Sequence, residues 1–135
     1  MFVFPYTIDR ELVDPTYHHV HHAKCLEILE KARIAYLDSL GCSYQSMLAR
    51  GDALVIVTVE AEYKRELKEG EVMVRCAEMI VDERRIFIDQ SVCNARGKVV
   101  MEARIGLAFM SLKTRRSIHP PQDFMDAVGV STPKD

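Results

Sequence analysis

The sequence predicts an α+β fold in which a curved antiparallel sheet wraps around one long central helix. Three observations support this prediction: an alternating strand at the start, one long amphipathic helix after it, and four alternating segments joined by short turns. A sheet of this size must bury one face, and the long helix is large enough to cover it. With 135 residues, the chain is expected to form a single domain over residues 1–135.

The opening strand and the helix differ in the period of their apolar residues. Apolar side chains alternate along residues 2–13, at Phe2, Phe4, Tyr6 and Ile8. Pro5 interrupts this segment, which is typical of an edge strand. From residue 22 to residue 40 the period is that of a helix, and one face carries Leu26, Leu29, Arg33, Tyr36, Leu37 and Leu40. Gly41 follows as the expected stop of this helix.

Four alternating segments follow a connector at residues 42–52. They cover residues 55–64, 71–81, 84–93 and 98–112. Short turns between long strands predict an antiparallel meander. Pro120 and Pro121 end the sheet region, and residues 122–128 predict a short closing helix. A small sheet leaves its edge strands open, so we expect a homo-oligomer, either a dimer or a tetramer.

The composition argues against several classes of function. The net charge of −2 excludes a general affinity for nucleic acid. No apolar run approaches the ~20 residues of a membrane span, and no signal-peptide pattern opens the chain. The four cysteines form no Cys-x-x-Cys pair, so we expect reduced thiols rather than disulfides or a thiolate metal site. These features favour a cytoplasmic protein.

The residues just before the long helix carry the strongest chemical signal. This stretch holds one aspartate, one tyrosine and four histidines, namely Asp14, Tyr17, His18, His19, His21 and His22. Carboxylates and imidazoles are the usual proton-transfer groups, and a helix N-terminus offers free backbone N–H donors with partial positive charge. Because a carbonyl placed there is polarised, the stretch is a candidate reaction centre.

The long helix begins with two short motifs, at residues 22–26 (His-Ala-Lys-Cys-Leu) and 30–33 (Glu-Lys-Ala-Arg). Together with the order of the elements, these motifs resemble the hotdog-fold acyl-CoA thioesterases, especially the branch of 4-hydroxybenzoyl-CoA thioesterase and the Tol-Pal-associated thioesterases. Cys25 stands in place of the aromatic residue that is usual in that family. The Glu-Gly-Glu turn at residues 69–71, the Asn-x-x-Gly hairpin at 94–97 and the Pro-Pro exit also fit. The resemblance implies hydrolysis of an acyl-CoA or acyl-carrier-protein thioester without a cofactor.

The catalytic acid of that family is an aspartate a few residues before the helix, and two alignments are open here. Without a gap, Pro15 falls at the acid position and His18 at a position where the family has glycine. The reaction must then use Tyr17, a histidine or bound water. With one extra loop residue, Asp14 falls at the acid position. We prefer this second alignment because it gives a carboxylate a chemical role; the alternative is that Asp14 caps a turn.

The resemblance implies a role for each candidate residue. The catalytic candidates are Asp14 as general base or nucleophile, His22 beside it, and Tyr17 and His18. The start of the helix, from His22 to Lys24, is expected to hold the oxyanion, although His22 also has an interpretation as a helix cap. The substrate-binding candidates, which include basic pairs for the phosphates of coenzyme A, are His19, Ala23, Lys24, Lys64, Arg65, Arg84 and Arg85.

Two other functions remain open from the sequence. The chain is alternatively a non-catalytic acyl-CoA binder or regulator on the same fold. The four histidines also allow a metal-binding module. Their spacing is too tight for a good ligand set and no cysteine or carboxylate supports them, so we predict no metal.

Arg33 and Glu30 lie on the long helix, where the resemblance implies that they brace the strands or a subunit contact. A buried arginine requires a carboxylate partner. The candidates for that partner are Glu60, Glu62 and Glu102.

Overall fold

Residues 1–129, which the computed structural model describes, form a seven-stranded antiparallel sheet and three α-helices. The strands are β1 (Phe2–Ile8), β2 (Asp52–Tyr63), β3 (Gly70–Cys76), β4 (Ile80–Asp82), β5 (Arg85–Cys93), β6 (Val99–Ser111) and β7 (Ser117–Ile118). The helices are α1 (His22–Ser39), α2 (Tyr44–Ala49) and α3 (Gln122–Val128), and a 3-10 turn spans Arg10–Leu12. None of the helices in this part of the chain is long and apolar enough to cross a membrane. The predicted α+β class is confirmed.

Helix α1 packs on the inner face of the sheet, against β1, β3 and β5. Its buried side chains are Cys25, Ile28, Leu29, Ala32, Arg33, Tyr36 and Leu37. They meet the inward-facing side chains of the strands, such as Val74, Ile88 and Ile105, in one apolar core. Gly41 follows the helix with φ of +78°, a left-handed conformation that glycine adopts without strain. The predicted central helix and its stop are confirmed.

The position of β2 corrects the predicted meander. The strand order is β1-β3-β5-β6-β2, so β2 pairs with β6 at the far edge instead of with β3. The reason lies in residues 64–69, which do not form a hairpin turn. Within them, the Leu67 carbonyl accepts a hydrogen bond from the Val20 N–H at 2.7 Å, and the Lys64 N–H donates to the Val100 carbonyl at 2.8 Å. This connection leaves β2 as a long open edge.

Three local predictions are wrong. The opening strand ends at Ile8, because the Asp9 carboxylate accepts the Glu11 N–H at 3.0 Å and begins the 3-10 turn. The segment 71–81 is two strands, since the chain leaves the sheet at residues 77–79 and β4 then pairs with β5. The connector contains α2, which the Ser43 hydroxyl caps by accepting the Ser46 N–H at 3.1 Å.

The predicted closing helix is confirmed as α3, which packs beside the C-terminal end of β6. The Phe124 ring packs edge-on against Phe109, with ring centroids 4.9 Å apart and both side chains fully buried. Arg50, just after α2, forms ion pairs with Asp123 of α3 and with Asp52 of β2. These contacts close one end of the core.

A buried polar network attaches α1 to the sheet and corrects the expected partner of Arg33. The Arg33 side chain donates from Nη1 to the Gln90 Oε1 at 2.9 Å, and both residues are 3% exposed. Gln90 in turn donates from Nε2 to the Leu29 carbonyl at 3.0 Å and to the Cys76 Sγ at 3.2 Å. The three glutamates that were expected to pair with Arg33 are all exposed, namely Glu60, Glu62 and Glu102. A neutral amide therefore takes the place of the predicted carboxylate.

Strands β2 and β6 approach each other closely where their register shifts, between Ile56 and Thr58. Thr58 pairs with Gly106, and a Cβ atom added at Gly106 would lie 2.1 Å from the Thr58 Oγ1. Thr58 is β-branched, so two of its three staggered rotamers direct a heavy atom toward this point. A residue larger than glycine at position 106 therefore forces the Thr58 side chain or one of the two strands to shift.

We expect Gly106→Ala to lower the free energy of unfolding by about 1–3 kcal/mol, because the added methyl group overpacks this contact. Urea denaturation measures the change. Adding Thr58→Ala to the same variant removes the atom that the methyl group meets, and is expected to restore most of the lost stability. An equal loss of stability with and without Thr58→Ala would contradict this account.

Candidate active site

A cleft of about 630 Å³ lies where the loop before α1, the start of α1 and the end of β2 meet. Its floor is apolar and consists of the buried residues Val20, Cys25, Leu67, Val100 and Met101. Its rim is polar and consists of Asp14, Tyr17, His19, His21, His22, Tyr63, Lys64, Arg65 and Glu66. An apolar floor beneath a few convergent polar groups is the usual form of a small-molecule site.

A second cleft, of about 560 Å³, lies on the outer face of the sheet. Its charged side chains are already paired in part, because Arg104 donates to both oxygens of Asp89 at 2.8 and 2.9 Å. None of the candidate catalytic or substrate-binding residues from the sequence lines this second cleft. We therefore place the candidate site in the cleft beside α1.

The loop before α1 is a closed structure. Val13 and Val20 form an antiparallel bridge, and the Asp14 N–H donates to the His19 carbonyl at 2.8 Å. His18 has φ of +61°, a left-handed conformation that non-glycine residues rarely adopt. This conformation agrees with His18 in the glycine position of the family motif. The same conformation is compatible with Asp14 at the acid position only if the extra loop residue lies between Asp14 and His18.

Asp14 caps this loop and also lines the cleft. Its Oδ1 accepts hydrogen bonds from the N–H groups of Thr16 at 2.7 Å and Tyr17 at 3.3 Å, so the turn cap expected as an alternative is present. These two hydrogen bonds, and to a lesser extent His21 and His19, hold the pKa of Asp14 below its ordinary value of 3.8. Among residues 1–129, no group donates to the other oxygen, Oδ2. Asp14 therefore offers an ionised carboxylate with one unused oxygen.

The first turn of α1 contains one unused amide. His21 is the N-cap, and its Nδ1 accepts the Ala23 N–H at 3.2 Å. The His21 carbonyl accepts the N–H groups of Lys24 at 2.9 Å and Cys25 at 3.3 Å. The His22 N–H has no partner within the described residues. The cap is therefore His21 rather than His22, and the free donor that a carbonyl oxygen would meet is the His22 N–H rather than those of Ala23 and Lys24.

Two pairs of rings in contact, one tilted and one stacked, form the rim around this amide. The imidazoles of His21 and His22 lie with centroids 4.1 Å apart, and Tyr17 stacks on His19 at 5.8 Å. The His19 Nδ1 lies 3.6 Å from the Glu66 carboxylate. His18 is exposed and does not line the cleft. The cluster of histidines is thus divided between the cleft and the loop surface.

Tyr63 lines the same cleft, although no sequence motif predicts it there. It is the last residue of β2, and its hydroxyl donates to the His22 carbonyl at 3.0 Å. The two residues are 41 positions apart, so their contact depends on where the edge strand lies. Local periodicity at Tyr63 predicts a strand and nothing more.

The basic candidates fall into two separate places. Lys64 and Arg65 stand at the rim of the cleft, where the Lys64 Nζ is 3.8 Å from a Glu62 carboxylate oxygen. Arg84 and Arg85 lie near the start of β5, at the end of the sheet remote from the cleft. There Arg84 donates to the Ser117 carbonyl at 2.8 Å. Within one protomer, only the first pair is brought to the site.

Ala23 and Lys24 are exposed on the first turn of α1 and do not line the cleft. The Lys24 Nζ lies 3.5 Å from the Glu27 carboxylate. Within residues 1–129, no three His, Cys, Asp or Glu side chains are arranged to hold a metal ion.

Comparison with known proteins identifies a family for this chain. The sequence model of the thioesterase-like superfamily matches residues 5–128. A search of curated proteins finds no match. A protein assigned as an oleoyl thioesterase from Lactobacillus plantarum has a similar structure, with a TM-score of 0.91 at 15% identity. That likeness covers 99% of this chain and 52% of the other, so the chain spans about half the length of that protein.

Two further solved structures are similar over most of both chains. A 1,4-dihydroxy-2-naphthoyl-CoA thioesterase from Synechocystis has a TM-score of 0.87 at 18% identity, with 95% of each chain covered. A Staphylococcus aureus protein solved in complex with CoA has a TM-score of 0.86 at 20% identity, with 95% of this chain and 81% of the other covered. At these identities the likeness establishes the fold alone.

Cys25 lies in the floor of the cleft, and burial raises the pKa of its thiol to about 11. About 1 in 10⁴ of such thiols is ionised at neutral pH, so Cys25 is a poor nucleophile. We expect iodoacetamide to label it very slowly in the folded protein, as followed by peptide mass spectrometry. The same protein unfolded in guanidinium chloride is the control and should label quickly. Rapid labelling of Cys25 in the folded protein would contradict a buried and protonated thiol.

Proposed function

This chain belongs to the thioesterase-like superfamily, and from that premise we propose that it hydrolyses acyl-CoA thioesters to a free acid and a thiol in the cleft beside α1. One observation carries the proposal: the ionised Asp14 and the free His22 N–H stand at the same cleft, above an apolar floor. The floor suits an acyl group, and the rim suits the thioester and the polar carrier arm.

The proposed chemistry uses Asp14 as a general base. Its Oδ2 takes a proton from a water molecule as the water oxygen attacks the thioester carbonyl carbon. The carbonyl oxygen becomes an oxyanion, which the His22 N–H and the positive end of α1 stabilise. The C–S bond then breaks, and the leaving thiolate receives the proton from Asp14. In the alternative route, an Asp14 oxygen attacks the carbonyl carbon, and the C–S bond breaks to release the thiolate. Water then hydrolyses the resulting anhydride to the free acid and the Asp14 carboxylate, and the proton released goes to the thiolate.

The other rim residues receive supporting roles. We assign the stacked pair of Tyr17 and His19 to contact with the substrate, because both residues line the cleft. His18 shapes the loop, since it adopts the left-handed conformation and lies outside the cleft. The His22 imidazole stands beside its own free amide and helps to orient the attacking water.

Lys64 and Arg65 are proposed to bind the carrier. The Arg65 side chain forms no ion pair with any described residue, so its charge is available to a phosphate. The similar Staphylococcus aureus protein was solved with CoA bound, which supports CoA as the carrier. An acyl-carrier protein presents the same pantetheine arm and remains the second choice.

We also propose that the chain forms a homo-oligomer through β2. This edge strand exposes Ile56, Val57 and Val59, each by 43–48% of its surface. An open, apolar edge favours pairing with another strand, and a second copy of the chain supplies one.

Asp14→Asn tests the proposed base with little change to the loop. The Asn side chain retains an oxygen that accepts the same turn hydrogen bonds, but it does not accept a proton from water. We expect kcat to fall by at least about 100-fold with KM nearly unchanged. Steady-state assays with a panel of short, long and aromatic acyl-CoAs measure both constants.

Asp9→Asn is the matched control for this experiment. Asp9 also caps a turn through its carboxylate, but it does not line the cleft, so turnover should stay at the wild-type value. Near-normal turnover of Asp14→Asn would remove Asp14 from the mechanism. Tight binding of acyl-CoA by the wild-type protein without any hydrolysis would instead identify a non-catalytic binder.

Replacing Lys64 and Arg65 together by Ala tests the carrier contact. We expect KM for an acyl-CoA to rise by about 3- to 10-fold, the effect of losing exposed charged contacts. A thioester of N-acetylcysteamine, which lacks phosphates, is the matched substrate and should keep its KM. If the replacement raises KM equally for both substrates, the two side chains do not bind phosphate.

A further inference from the structure

Tyr63 connects the end of β2 to the start of α1. Its hydroxyl donates to the His22 carbonyl at 3.0 Å, and its ring meets the His22 imidazole edge-on at 6.4 Å. Burial, and after it the neighbouring Cys25, raises the pKa of Tyr63, so its hydroxyl keeps its proton at neutral pH. Tyr63 is therefore a permanent donor at the rim of the cleft.

The peptide unit between His22 and Ala23 is held at both ends. Its carbonyl accepts from Tyr63, and its N–H donates to the His21 Nδ1 at 3.2 Å. Hydrogen bonds in series polarise one another. The His21 Nδ1 acts as the acceptor of this hydrogen bond, which fixes the orientation of its ring. One hydroxyl thus acts on the orientation of His21 and, through the contact between the two rings, on His22.

The small side chain of Cys25 lies beside this arrangement, because Cys25 and Tyr63 line the cleft together. The Tyr63 ring therefore lies at the same cleft as Asp14 and the first turn of α1.

We propose that Tyr63 is a positioning residue for thioester hydrolysis, acting through the His22–Ala23 peptide to fix the imidazoles of His21 and His22 and the adjoining free amide. The inference rests on the proposed function. A purely structural hydrogen bond at this exposed position would change neither the chemical step nor the state of the histidine rings. The two interpretations therefore differ in a measurable way.

Tyr63→Phe removes the hydroxyl and keeps the ring. We expect kcat to fall by about 2- to 12-fold, the effect of one net hydrogen bond, with KM within about twofold of wild type. In NMR spectra of the protein without substrate, the ring signals of His21 and His22 should shift, and the Ala23 amide should exchange faster. Circular dichroism should confirm an unchanged fold.

Tyr6→Phe is the matched control, because it removes one hydroxyl from a partly buried tyrosine of β1. The Tyr6 ring stacks on Phe4 at 6.1 Å and does not line the cleft, so kcat and the histidine signals should stay at wild-type values. The inference is overturned if Tyr63→Phe keeps the wild-type kcat, changes only KM, or leaves the histidine signals unshifted. A wild-type protein that hydrolyses no thioester would overturn the proposed function itself. An active wild type with an equally active Tyr63→Phe variant would overturn only the role of Tyr63.

Discussion

The attachment of α1 to the sheet is the constraint on which the rest of the structure depends. The apolar face of the helix excludes water from the sheet, and the Arg33–Gln90 hydrogen bond at 2.9 Å fixes how the helix is turned. Hydrogen bonds to a charged group contribute about 1.5–3 kcal/mol, and a buried guanidinium without them is strongly unfavourable. Since a helix rises 1.5 Å per residue, its start at His22 is held about 16 Å along the axis from this point. The free amide is therefore placed by contacts far from the cleft.

In the proposed mechanism, Asp14 combines a structural role as a turn cap with a chemical role as the general base. The turn hydrogen bonds to its Oδ1 lower its pKa and keep it ionised, which makes it a weaker base than an isolated carboxylate. The same bonds fix the carboxylate in place, so little ordering remains to be done when the substrate binds. Orientation and a positively polarised helix end then compensate for modest basicity. The turn cap, one of the two interpretations of Asp14 in the sequence, is therefore compatible with the other, the proposed base, because each uses a different oxygen.

Elements with strong local signals were predictable, and contacts between distant residues were not. The helical periodicity and Gly41 are sufficient to predict α1, and the two prolines are sufficient to predict where α3 begins. The place of β2 depends on hydrogen bonds of residues 64–69 to Val20 and Val100, for which the sequence contains no local pattern. Tyr63 was missed for the same reason. The charge of Arg33 predicted a carboxylate partner, but the Gln90 amide accepts from its Nη1 instead, and the buried Nε has no hydrogen-bond partner among the described residues. No local sequence pattern predicts this pairing.

The most direct test of the account is a crystal structure with an acyl-CoA analogue in which a ketone replaces the thioester, so that the carbonyl is retained and hydrolysis is blocked. The account predicts that the carbonyl oxygen accepts the His22 N–H, that Asp14 faces the carbonyl carbon, and that the acyl group lies on the apolar floor beside Cys25. An analogue bound in the outer cleft near Asp89 and Arg104, or with its carbonyl turned away from His22, would contradict it.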